Sequence, residues 1–262
     1  MNLSRKTLIM GLLALPMFLA SSALSSTEPE TRSSKTLSLS HTTVDPKAVE
    51  LFRGAMDYLS ELKQFSVQAQ STLEDVINTG HRVDFEISSS VTVSRPNKIH
   101  IERHGLDLGQ IFYYNGETLT LFNPSDKVYA SEAAPGTIED MFHFARDTYG
   151  LGVPVSDLLY SDAFTLLMEE VNYAALIGME MIGEVQCNHL LFSRPGVDFQ
   201  IWIANSGPPL VYKYVVTDTA TPELLAFVTV MRNWNLAPSL SESLFEFVPP
   251  EGTEKIIFLE AY

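Results

Sequence analysis

Apolar and polar residues alternate with a period of two in segment after segment from Phe65 onward. Phe65, Val67 and Ala69 alternate with Ser66, Gln68 and Gln70, and Val83, Phe85 and Ile87 alternate with Asp84, Glu86 and Ser88; the run continues through Val91 to Val93. Lys98 to Arg103 repeats the pattern after an Arg95-Pro96-Asn97 break. Successive side chains of a strand point to opposite faces, so this period specifies half-buried strands. Asn115-Gly116 lies between QIFYY and ETLTLF and supplies two residues that tolerate positive φ. A two-residue link joins antiparallel strands only. Further on, LIGMEMIGEV, CNHLLFS, DFQIWIA, LVYKYVV and LLAFVTVMRNWNL follow one another across turn-like segments, as a meander does. A sheet of roughly ten to eleven such strands is too wide to twist comfortably as an open plane. The expected fold class is therefore α+β: one large curved antiparallel sheet, an unclosed β-barrel, with helices on its concave face.

Two stretches break the period. Asp45-Pro46 has the chemistry of a helix start, and Val49, Phe52, Met56, Leu59 and Leu62 then recur at helical spacing up to about Lys63. Between Thr137 and Val171, Met141, Phe142, Ala145 and Tyr149, then Leu158 and Leu159, then Phe164, Leu167 and Met168 form short apolar helices broken at Gly150, Pro154 and Ser161. This insertion is expected to cover the concave face as a lid. The tail FEFVPPEGTEKIIF reads as a last edge segment in which Pro249-Pro250 blocks ladder pairing.

The first residues have the build of an export signal. Arg5 and Lys6 precede the apolar run LIMGLLALPMFLA, which is too short to span a bilayer, and small residues follow it. The expected division is a cleaved signal peptide at 1–23, a flexible Ser/Thr-rich leader at 24–43 and one domain at 44–262, with localisation in the periplasm and no stable membrane anchor. Removing the two basic residues of the signal changes the formal charge from −15 to −17. Such a balance lacks the clustered Lys and Arg that nucleic acid or an anionic lipid surface requires. The single cysteine, Cys187, excludes an intrachain disulfide, so the fold must be held by its core.

Catalytic grammar is sparse. The chain carries no G-x-S-x-G elbow, H-E-x-x-H, G-x-x-x-x-G-K-[ST] or G-x-G-x-x-G motif. Cys187 and His189, two apart on a strand, share a face as a nucleophile and base would, but free Cys ordinarily behaves as a small buried hydrophobe. Glu169 and Glu170 diverge by about 100° on a helix and do not make a carboxylate pair. His100 and His104 flank a strand without a further ligand. No enzyme, metal or cofactor is expected. The concave face is expected to hold something apolar, a lipid or acyl chain, lined by Phe65, Val67, Phe85, Ile101, Met141, Phe144, Leu158, Phe164 and Met168. The alternative is a protein-interaction module of an envelope complex, with a filled core and an acidic surface for a basic partner.

Several ordered blocks carry a family resemblance: VDPKAVELFRGAMDYLSELKQFSV, YYNGETLTLFNPSDKVYA with APGTIEDM, VSDLLYSDAFTLLM, IGEVQCNHLLF, DFQIWIA, and NWNL with FEFVPPEG. They resemble a bacterial family of predicted periplasmic proteins known as domain of unknown function 2092, from about Val44 to Phe258. The helix followed by the K-x-F-S-V strand at Lys63 to Val67 is also similar to the superfamily of the lipoprotein carrier LolA and the receptor LolB. That resemblance implies an unclosed barrel with a helical lid over an apolar cavity and a carrier or envelope-sensing role. It brings no catalytic residues.

Overall fold

The computed structural model describes residues 43–105, 108–153 and 155–259. The expected signal and all of the expected leader except Thr43 lie outside the described residues. Helix α1 (Pro46–Glu61) is capped by Asp45, whose Oδ1 accepts the amide of Lys47 at 2.8 Å. The other carboxylate oxygen accepts the amide of Leu176 at 3.2 Å and ties the helix start to the far edge of the sheet. Ala48, Phe52, Ala55, Met56 and Leu59 form the buried stripe that the helical spacing requires.

Six strands follow: β1 (Gln64–Val76), β2 (Arg82–Ser94), β3 (Lys98–Gly105), β4 (Leu108–Tyr114), β5 (Thr118–Asn123) and β6 (Val128–Ala133). Next come α2 (Ile138–Tyr149), a 3-10 turn at Ser156–Leu159 and α3 (Ala163–Met168). The second run is β7 (Tyr173–Ile182), β8 (Val185–Arg194), β9 (Val197–Ala204), β10 (Val211–Asp218) and β11 (Ala226–Asn235), with a short β12 (Glu254–Ile256) near the end. All twelve belong to one sheet, ordered β12-β6-β5-β4-β3-β2-β1-β11-β10-β9-β8-β7.

The two meanders are joined by one long-range pairing, β1 against β11, antiparallel with a bulge between Ser66 and Gln68. The sheet is curved and unclosed, with β7 and β12 as its edges. It has twelve strands because a three-residue strand beyond Pro249-Pro250 adds itself to β6, and that pair is parallel. The prolines stop pairing only where they stand.

Helix α1 packs over β7, β8 and β9 on the inner face. There Phe52 meets Phe192 at 4.9 Å and Phe199 at 5.9 Å between ring centroids. Helix α2 begins at Thr137, whose hydroxyl accepts the Asp140 amide, and ends at Gly150, whose φ of 65° is the left-handed cap that glycine adopts without a Cβ penalty. The outer face of β4 to β6 is covered by the tail, where Phe247 packs on Tyr113, Phe122 and Tyr129. A second small outer cluster joins Cys187, Trp202 and Val215.

Candidate ligand cavity

β1 and β2 are thirteen-residue strands in the middle of the sheet order. A cavity of about 80 Å³ lies on their inner face. One water needs roughly 10–15 Å³ on that measure, so the space holds several water-sized groups. Fifteen of its eighteen lining residues are apolar; the three polar ones are Ser71, Ser89 and Arg103. The floor comes from β1 and β2, with Ile101, Phe112, Phe227 and Met231 from neighbouring strands. Leu59 of α1, Trp234, and Val153, Val155, Leu158 and Leu159 close it.

Of the nine residues singled out from sequence, Phe65, Val67, Ile101 and Leu158 line this cavity. Phe85 shares their face of β2 but pairs with Leu73, a row beyond Ile87, outside the lining. Met141 is buried in the core beneath α2, and Phe144 packs edge-on to Tyr149 at 5.4 Å. Phe164 is held between the Phe52 ring, 5.7 Å away, and the guanidinium of Arg53, 3.7 Å from its centroid. Met168 packs, partly buried, against the main core. The part of the insertion that touches the cavity is therefore its middle, through Val153, Val155, Leu158 and Leu159, and not α2 or α3.

Sequence reasoning missed the contribution of β11 and the polar side chains. The alternation of FVTVM marked Phe227 and Met231 as same-face residues, but no local signal places β11 beside β1. Arg103 was visible as an inward position of KIHIER, since it lies two residues from Ile101 on a strand.

The electrostatics of the lining are uneven. Arg103 is half-buried, and burial, with no compensating charge, pushes its guanidinium below the ordinary value. Among the described residues it has no ion pair or hydrogen bond. Asp157 stands in the closing turn; burial pushes its carboxyl up to about 6 against the opposing pull of Arg194 and Arg146. Its Oδ1 is buried without a hydrogen-bond partner among the described residues.

Cys187 and His189 lie away from the cavity. The thiol is 0% exposed and burial pushes it up to about 11, the reverse of what an activated nucleophile needs. His189 stacks on Trp202 at 4.0 Å and shares a 2.9 Å hydrogen bond between Nε2 and the Gln200 side chain. His100 is buried edge-on against Tyr113 at 4.8 Å, and burial lowers its proton affinity. No group of three or more metal-ligating side chains occurs among the described residues, and no helix among them is long and apolar enough to cross a membrane.

A curved, unclosed β-barrel with an apolar internal cavity is the class of structure these observations define. The chain belongs to the family of predicted periplasmic proteins called domain of unknown function 2092, whose model matches residues 48–259. No curated protein matches it in sequence. Among solved structures it is similar to the Mycobacterium tuberculosis lipoprotein LppX, with 14% identity over 75% of this chain and 100% of that one and a TM-score of 0.44. LprF from Mycobacterium bovis gives 11% identity, 80% and 99% coverage and a TM-score of 0.47. A LolA superfamily protein from Nitrosomonas europaea gives 11% identity, 76% and 97% coverage and a TM-score of 0.36. At such identities and scores, function has to be read from the cavity itself.

Proposed function

We propose that the protein is a periplasmic binding protein that encloses a lipid or acyl chain, as a carrier or an envelope sensor, and that it catalyses no reaction. The observation that carries this reading is the apolar cavity left on the inner face of β1 and β2 beneath the closing segment. Protein interiors are normally packed to crystal density, so an apolar space of this kind at the centre of a sheet is not what core stability alone produces. An occupant larger than a few water-sized groups needs Val155 to Leu159 to swing outward. At about 25 cal/mol per Å², roughly 300 Å² of buried ligand surface offers on the order of 7 kcal/mol before association costs, enough for reversible capture. The apolar run and small-residue site at residues 1–23 support delivery by a cleaved signal.

Native mass spectrometry with lipid extraction, on protein purified from the periplasm without detergent, tests this. The expected result is a reproducible added mass that extracts as an acyl lipid. A bare mass, together with no uptake of a neutral apolar fluorophore, overturns it. One observation favours a second reading as a protein-interaction module: the edge strand β7 exposes Ile177, Met179 and Met181 at 53%, 60% and 59%. In that case Met179→Lys removes partner crosslinking, and neither the wild type nor the variant takes up the fluorophore.

A further inference from the structure

Two of the three polar lining residues, Ser89 and Arg103, share a row with Gln110, which stands outside the lining. Ala69 pairs with Ser89 across β1 and β2, Ser89 with Arg103 across β2 and β3, and Arg103 with Gln110 across β3 and β4. Directly paired residues project from the same face of a sheet, so Ser89, Arg103 and Gln110 form one transverse row bordering the apolar floor. Gln110 is 1% exposed, and its buried Nε2 has no hydrogen-bond partner among the described residues. Arg82, Arg95 and Arg146 each have a carboxylate partner. Arg103 has none among the described residues, although the chain holds 32 Asp and Glu against 17 Lys and Arg. The row thus offers a guanidinium, an amide N–H and a hydroxyl, all able to donate, with no carboxylate paired to the guanidinium among the described residues.

We infer that the cavity takes an acidic amphiphile, its anionic carboxylate or phosphate head held by Arg103 with Ser89 and Gln110 beside it, and its tail among the apolar side chains. This rests on the proposal that the cavity is a ligand site and adds the ligand's charge and orientation. A planar guanidinium suits both head groups because it donates two parallel hydrogen bonds to paired oxygens. The strongly acidic surface does not oppose this, since exposed charges beyond about 10 Å are largely screened at moderate salt.

The test is displacement of a neutral naphthylamine fluorophore from the intact mature protein by matched probes: palmitate and hexadecanol, then lysophosphatidate and inorganic phosphate. Palmitate or lysophosphatidate should displace it at a concentration at least about tenfold below that of hexadecanol, the scale of one charge-assisted hydrogen bond. Arg103→Gln should erase that preference while still taking up the fluorophore, which shows that the variant is folded, and Arg103→Lys should keep part of the preference. Which acid responds assigns carboxylate or phosphate. Equal displacement by acid and alcohol, or a preference that survives Arg103→Gln, overturns the inference and leaves the cavity reading standing, with Arg103 then simply reaching water. Displacement by inorganic phosphate alone overturns the coupling of head to tail. If the fluorophore never binds, the cavity reading itself fails and this inference with it.

Discussion

Ser71 and Thr229 join their buried hydroxyls by a 2.9 Å hydrogen bond on the inner face, at the pairing of β1 with β11 that links the two meanders. They are 158 residues apart in the chain. Thr229→Val keeps the shape but strands the Ser71 hydroxyl, which should cost about 1–3 kcal/mol. The double variant Ser71→Ala with Thr229→Val should cost less than the two single changes together, because it leaves no orphan. Urea unfolding of the four proteins measures the coupling; strict additivity would show that the bond contributes nothing to the junction.

That bond also marks where sequence reading stops. Period-two alternation is a local property, so the strands of both meanders and their inward residues were legible, as were the Asp45 cap and the Asn115-Gly116 turn. Asn115 Oδ1 accepts the amides of Glu117 and Thr118, the local chemistry such a turn predicts. The meeting of β1 with β11 is non-local, and with it the contribution of Phe227 and Met231 to the cavity. The same limit explains the candidate lining residues. Phe65, Val67 and Ile101 lie on strands whose inner face is fixed by their own alternation. Phe144, Phe164 and Met168 lie on short helices, where docking decides which neighbour an apolar side chain meets. Phe164 docks on Phe52 and Arg53.

Cys187 should be inert in the folded protein. It is fully buried and its thiol is pushed up to about 11, so little thiolate exists at neutral pH and reagent cannot reach it. A disulfide-exchange reagent should label it at a rate that follows unfolding in urea. Cys187→Ala should leave ligand uptake unchanged. Rapid labelling without denaturant would contradict the packing of Cys187 against Trp202 and Val215.

Asp157 should make stability fall as pH rises through the weakly acid range. Its carboxyl titrates near 3.8 in an unfolded chain and at about 6 in the fold, so between those values the folded state binds the extra proton. The favourable contribution is complete below about 3.8 and lost above about 6. Asp157→Asn, which cannot ionise, should flatten that part of the melting-temperature profile and raise the melting temperature at neutral pH. The charge also stands beside Leu158 in the segment that closes the cavity. Acid should therefore slow fluorophore entry in the wild type and not in the variant. An unchanged pH profile in Asp157→Asn would assign the dependence to other groups.

Ala69 gives the sharpest distinction between a cavity and an ordinary core. It lies on β1 in the lining, paired with Met231 on one side and Ser89 on the other. In a close-packed interior, adding a large side chain forces neighbours off their rotamers and costs about 1–3 kcal/mol. In a space that already admits several water-sized groups, the ring of Ala69→Phe gains contacts that the wild type lacks. The variant should therefore melt within a few degrees of the wild type, or above it, and lose most of its fluorophore uptake. Because the substitution adds apolar surface and removes no polar group, lost uptake cannot arise from a broken hydrogen bond. A clear fall in melting temperature with uptake retained would mean that the space beneath Val155 to Leu159 is packing slack and that the ligand site lies elsewhere.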